Sequence, residues 1–143
     1  MADINYQAVF RALPGPTALL SCDLTILDAN DDYLASVGRE REELVGRNIF
    51  VAFPTNSREP GNTDMENLRA SLESVVMTGE MDRMDLIRYD IEVPGKAGVF
   101  EERYWACVNS AVSGPGGQPD VIVHRAADAT ATVRQVIKAQ AVS

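Results

Sequence analysis

The sequence predicts an α+β domain, a five-stranded antiparallel sheet with helices packed on one face. Three observations carry this. Two short apolar strand-like runs, separated by an Asp-centred turn at Asp23, stand near the start of the chain. Helical spacing then governs the chain as far as Gly79, and from Met81 onward the period changes to two over three runs separated by Gly/Pro turns. A length of 143 residues with 45% hydrophobic content fits one domain with one core.

The elements follow in order. Tyr6, Val9, Phe10 and Leu13 stand at helical spacing behind Asp3 as the expected cap, and Pro14-Gly15-Pro16 breaks the run, which gives an amphipathic leader helix. The first strand begins near Ala18 and the second spans Thr25 to Ala29. Asn30 then caps a short helix that turns Tyr33, Leu34 and Val37 inward and stops at Gly38. A second short helix, Glu42 to Val45, stops at Gly46; the mixed charges from Arg39 to Glu43 read as a solvated face. Asn48 to Phe53 is a compact apolar patch, and Pro54 to Asn62 a polar loop.

Thr63-Asp64-Met65-Glu66 has the form of a capping box, and Met65, Leu68, Leu72, Val75 and Val76 make one apolar stripe on the helix that follows, ended by Gly79. The strand-like runs are Met81 to Val93, Val99 to Val112 and Asp120 to Ala127, joined by turns at Pro94 to Gly98 and Ser113 to Gly117. Gly114, Gly116 and Gly117 do not make a phosphate loop, which needs a helix N-terminus after it where this sequence continues as a strand. From Thr130 to Ser143 the helical period returns, with Val133, Val136 and Ile137 apolar.

Composition excludes several function classes. A net charge of −8 opposes nucleic acid or an anionic membrane as the main partner. Cys22 and Cys107 stand far apart with no CxxC, so neither a disulfide framework nor a thiolate metal site is expected, and a reduced cytoplasmic setting is the default. No signal-peptide h-region and no run near 18 apolar residues is present. A Ser-His-Asp order with nucleophile-elbow glycines is missing, and Asp85, Asp90, Glu92, Glu101 and Glu102 fall at strand and turn positions that read as exposed, so no catalytic residue is expected. A pocket between the helical layer and the sheet is the natural place for a small ligand.

From Phe10 through Thr130 the chain resembles a PAS domain. The resemblance rests on Asp23-x-x-Ile26-x-x-Ala29-Asn30, on Tyr33-x-x-x-x-Gly38, on Glu42-Glu43-Leu44-Val45-Gly46-Arg47, and on a closing strand that ends in Asp128-Ala129-Thr130. The segments NLRASLESVVMTG and FEERYWACVNSAV further resemble PAS domains at the front of bacterial sensor histidine kinases. The resemblance implies strand order 2-1-5-4-3, a role in sensing or signal relay, and homodimerisation through the leader helix and a sheet face. It divides the chain into a leader (1–13), a sensory domain (14–130) and the start of an outgoing helix (131–143) that leads to a C-terminal effector. Asp128 and Thr130 take the signal-relay positions, with Ala129 in place of a bulkier residue.

The ligand is left open. Gly46-Arg47-Asn48 resembles the start of the light-sensing flavin motif, but Ile49 stands where the reactive cysteine belongs and Ala126 where the glutamine belongs, which disfavours flavin chemistry. Haem is disfavoured because Asp64 to Gly79 carries no histidine. The sole histidine, His124, shares a strand face with Ile122 and Ala126, and a metal site there lacks further ligands. Trp105, Cys107 and Asn109 share one face of their strand, expected inward, although a one-residue slip reverses it. Buried Asn109 and His124 each need a partner and can satisfy each other. The candidate ligand-binding residues are therefore His124, Asn109, Trp105, Tyr33, Phe53 and Leu72. Small-molecule sensing and ligand-free relay both fit; the alternative from another class is a small stand-alone carrier or enzyme built around His124 and Asn109.

Overall fold

A computed structural model of the chain describes residues 3–55 and 61–142. The loop expected over Pro54 to Asn62 therefore lies in large part outside the described residues. The chain opens with helix α1, Tyr6–Ala12, capped by Asn5, whose Oδ1 accepts from Ala8 N–H at 3.0 Å; Asp3 is not the cap. Strands β1, Thr17–Leu20, and β2, Ile26–Ala29, follow, then α2, Asp31–Val37, α3, Arg41–Leu44, and α4, Ile49–Ala52. The long helix α5 is Asp64–Thr78. Short strands β3, Asp82–Arg83, β4, Ile87–Arg88, β5, Ile91–Glu92, and β6, Phe100–Glu101, lead to β7, Tyr104–Ser113, β8, Pro119–Asp128, and α6, Thr130–Val142.

The main sheet is antiparallel in the order β2-β1-β8-β7-β3, with β4 also paired to β7, while β5 and β6 form a separate hairpin. Taking β3 and β4 as one broken outer strand gives the expected order. The run from Met81 to Val93 is thus three short strands where period-two patterning predicts one. Carboxylates interrupt it: Arg88 N–H donates to Asp64 Oδ2 at 2.7 Å, and buried Asp90 holds the Arg88 guanidinium through two bonds of 3.1 Å and accepts from Arg103 N–H at 3.4 Å. Side chains here supply partners that a ladder would otherwise give.

The same kind of detail corrects two local expectations and gives a third stretch its conformation. Thr63 makes no side-chain cap; Asn62 Oδ1 accepts from Asp64 N–H at 2.8 Å instead. The apolar patch at Asn48 to Phe53 is a helical turn, because Asn48 Oδ1 accepts from Phe50 N–H at 2.9 Å. The charged run is not simply solvated. Arg41 reaches back to Asp28 at 3.2 Å and to Ala29 O at 2.9 Å, and Arg11 of α1 meets the other oxygen of Asp28 at 3.1 Å, so a buried acid on β2 pins two helices.

Asn30 and Gly38 end α2 as expected, Gly38 at φ 66° where a side chain would be strained. The core lies between the sheet and α2 to α5. Leu20, Ile26, Leu44, Ile49, Leu72, Val75 and Ile122 are among its fully buried side chains. Helix α6 leaves the sheet with only Thr130 buried, and Val136 and Ile137 face outward.

Candidate functional site: a core cavity and an exit joint

A cavity of about 40 Å³ sits between α2, α4 and α5 on one side and β4, β7 and β8 on the other. Tyr33, Phe53, Trp105 and His124 line it, together with Met65, Leu68, Ile87, Tyr89, Cys107 and others. Alternation places Trp105, Cys107 and Asn109 on the buried face of β7. Asn109 stands behind His124 and Leu72 is buried elsewhere in the core, so neither lines the cavity. Several lining residues were not among the sequence-based candidates, Tyr89 and Cys107 being the polar-bearing ones. Cys107 shares its strand face with Trp105, which was signal enough; Tyr89 lies in the run whose breaks hid its direction.

The cavity's polar atoms are few. Trp105 Nε1–H donates to Tyr89 O at 2.9 Å, which satisfies the indole. His124 Nδ1 is 2.7 Å from Asn109 Oδ1, and burial pushes its pKa down to about 4, so the imidazole is neutral at pH 7. Burial likewise pushes the Cys107 thiol up to about 12, which keeps it protonated and a poor nucleophile, and raises Tyr33 above its ordinary value. Among the described residues no group of three His, Cys, Asp or Glu is placed to hold a metal ion. Nor does the cavity fit a flavin or a haem: about 40 Å³ is far below the roughly 300–1,000 Å³ of a pocket for a drug-sized molecule.

An aromatic partition closes one side. Phe53 packs edge-on between Tyr33 and Tyr89, with ring centroids 6.3 and 5.8 Å away, and the Arg39 guanidinium lies 5.5 Å from the Phe53 centroid. Tyr89 is held by its hydroxyl, which donates to Pro54 O at 2.8 Å. Beyond the partition lies an open cleft of about 780 Å³ under the β5–β6 hairpin. Val37, Phe53, Tyr89 and Ile91 are walls common to both spaces.

The second feature is where β8 becomes α6. Asp128 Oδ1 accepts from Thr130 N–H at 2.9 Å, Thr130 Oγ1 accepts from Tyr104 N–H at 2.9 Å, and Ala129 N–H donates to Tyr104 O at 2.8 Å. Arg103 bridges Asp128 Oδ2 and Glu101 Oε2, each at 2.7 Å, which ties the cleft-side hairpin to the joint. Burial alone would raise the Asp128 pKa; the bonds from Thr130 and Arg103 outweigh it and hold the carboxyl below its ordinary value.

The sequence signature of the PAS fold matches residues 10–134. No curated protein matches the sequence significantly. Among solved structures, the PAS domain of a protein from Colwellia psychrerythraea is 17% identical with a TM-score of 0.66, over 90% of this chain and 99% of that one. A light-oxygen-voltage (LOV) protein of Rhodobacter sphaeroides is 16% identical with a TM-score of 0.63, over 85% and 62%. VqmA of Vibrio cholerae, described as a dimer and a LuxR-type receptor, is 17% identical with a TM-score of 0.61, over 92% and 53%. The chain thus spans about half to two thirds of the Rhodobacter and Vibrio proteins.

Proposed function

The chain belongs to the PAS family, and from that premise we propose that it is the sensory module of a bacterial signal-transduction protein, detecting a small molecule in its core cavity and passing the change to a C-terminal effector. One observation carries the reading. Strand β8 places His124 in the cavity wall and Asp128 in the exit joint four residues later, then continues into α6 without an intervening loop. A ligand that shifts β8 shifts the start of the helix with it. The resemblance of the central segments to PAS domains of sensor histidine kinases favours such a kinase as the effector, in the cytoplasm. The neutral His124, the protonated Cys107 and the apolar lining of the cavity support a binding module over a catalyst. The net charge of −8 supports a partner other than nucleic acid.

Two measurements test it. Native mass spectrometry of the purified chain is expected to show an organic passenger, and a clean apo mass in every preparation argues against the reading. Arg103→Ala is expected to speed amide exchange across residues 130–142 several-fold, and by no more than about tenfold because the ion pair is partly exposed; unchanged exchange argues against a coupled joint.

A second reading, ligand-free relay through a homodimer, is favoured by the smallness of the cavity and by Tyr6, Val9 and Leu13, which form one exposed apolar face of α1. Phe10 turns partly toward its own domain, so Val9, 47% exposed, is the residue to change. Val9→Asp is expected to leave the fold intact and convert dimers to monomers in light scattering. A wild-type chain that is monomeric at high concentration removes this reading.

A further inference from the structure

A chain of hydrogen bonds leads from the cavity wall to the protein surface. His124 Nδ1 meets Asn109 Oδ1 at 2.7 Å, Asn109 Nδ2 donates to Ser71 Oγ at 2.9 Å and also lies 3.5 Å from Met84 Sδ, and Ser71 Oγ donates to Asp82 Oδ2 at 2.5 Å. His124, Asn109 and Ser71 are all buried, while Asp82 on β3 is half-exposed. The direction of the chain is set at its surface end. A carboxylate accepts only, so the Ser71 hydroxyl must give it its proton. The Ser71 oxygen is then an acceptor, which Asn109 meets with its NH₂, and this turns Oδ1 toward His124. Oδ1 accepts in turn, so the imidazole carries its proton on Nδ1. The other ring nitrogen, Nε2, is left with a bare lone pair.

That lone pair has no partner among the described residues, and His124 is 3% exposed in the wall of the cavity. The Tyr33 hydroxyl, on a side chain 4% exposed in the same wall, also lacks a hydrogen-bond partner among the described residues; the two rings meet edge-on with centroids 6.1 Å apart. Unpaired buried polar atoms are costly, so two on side chains that line one small apolar cavity call for a molecule that satisfies them. No cationic side chain lines the cavity, which leaves nothing to hold an anion.

Resting on the sensor reading above, we infer that the cavity recognises a compact, neutral, mostly apolar molecule carrying a hydroxyl group, which donates to His124 Nε2 and accepts from the Tyr33 hydroxyl, and that Asp82 is the positioning residue that fixes the imidazole for it. At about 40 Å³ the cavity is too small for such a molecule unless a wall moves, and the Phe53–Tyr89 partition, which it shares with the outer cleft, is the wall that would admit it.

Because the chain has one histidine, nitrogen-15 NMR of histidine-labelled protein reads the site directly. The free protein is expected to show the Nδ1–H tautomer. Phenol, anisole and toluene then serve as small aromatic probes, phenol and toluene being nearly equal in size and anisole one heavy atom larger: phenol donates and accepts, anisole only accepts, and toluene does neither. Phenol is expected to shift the Nε2 resonance and to bind about tenfold or more tightly than the other two, since a site built for a hydroxyl discriminates against analogues that lack it. Asp82→Asn, whose amide can donate as well as accept, is expected to mix the tautomers and shrink the phenol preference several-fold. An Nε2–H tautomer in the wild type overturns the inference. Equal binding of all three probes overturns it while leaving the sensor reading in place, and binding of none overturns both.

Discussion

Asn30→Ala is expected to destabilise the domain by about 3–5 kcal/mol, far more than the loss of a helix cap alone, which is worth about 1 kcal/mol. Asn30 is fully buried and all of its side-chain capacity is used. Its Oδ1 accepts from Tyr33 N–H at 2.9 Å, which caps α2, and from Thr17 N–H at 3.0 Å, which holds the start of β1. Its Nδ2 donates to Leu13 O at 3.1 Å and Gly15 O at 2.7 Å, which fix the turn between α1 and the sheet. Alanine strands the Thr17 N–H and the Leu13 carbonyl as well as uncapping the helix, while the Gly15 carbonyl keeps the Thr17 hydroxyl at 3.0 Å. Asn30→Ser separates the contributions, since a hydroxyl can cap but cannot reach both carbonyls; it is expected to recover about 1 kcal/mol. Urea denaturation midpoints measure both, and full recovery by serine would show that the cap alone matters.

The second large effect is on pH. Lowering the pH from 7 to about 4.5 is expected to cost about 2–3 kcal/mol of stability through His124 alone. The histidine titrates near 6.5 in an unfolded chain but near 4 in the folded one, because burial opposes the imidazolium. Between those values the unfolded state binds a proton that the folded state cannot, so stability falls as the pH falls, and the loss levels off below about 4. Tyr33, Cys107 and Asn109 around the ring are neutral, so no carboxylate is at hand to share the charge. Asp23, Glu43, Glu101 and Asp128 have lowered values and lose their own contributions only at more acidic pH. His124→Gln is therefore expected to flatten the slope between pH 6.5 and 4.5 and to leave the more acidic part unchanged. A wild-type slope that survives the substitution would place the titration elsewhere.

The dependence of the fold on local signals explains which parts of it could be read in advance. Asn30, Gly38 and Gly79 act within one turn of their own positions, and each terminates the element expected of it. The sheet order followed from the resemblance, and the inward face of β7 from alternation. What stayed hidden depends on partners distant in sequence. Asp64 takes the Arg88 amide and Asp90 takes its guanidinium, which breaks one long strand into pieces that no periodicity announces. Arg11 and Arg41 converge on Asp28 from opposite sides, so a run that reads as solvated is partly structural. At the cavity, Asn109 and His124 were foreseen as mutual partners, but Ser71 and Asp82 were not. A serine between Leu68 and Leu72 on an apolar helix face was the available signal, since a polar group on that face needs a reason to be there.

The pairing of β1 with β8 has a further consequence, for the order in which the chain can acquire its structure. Thr17 to Leu20 lie beside Ile122 to Arg125, so the centre of the sheet is made by segments from opposite ends of the domain. The β7–β8 hairpin is local and can close early, whereas joining β1 to it closes a loop of about a hundred residues and comes late. On the ribosome, β1 and β2 emerge first and must wait, with one edge unpaired, until almost the whole domain has been synthesised. A nascent chain stalled before residue 119 therefore lacks its central strand, and protease resistance should arise in one step once β8 has left the exit tunnel.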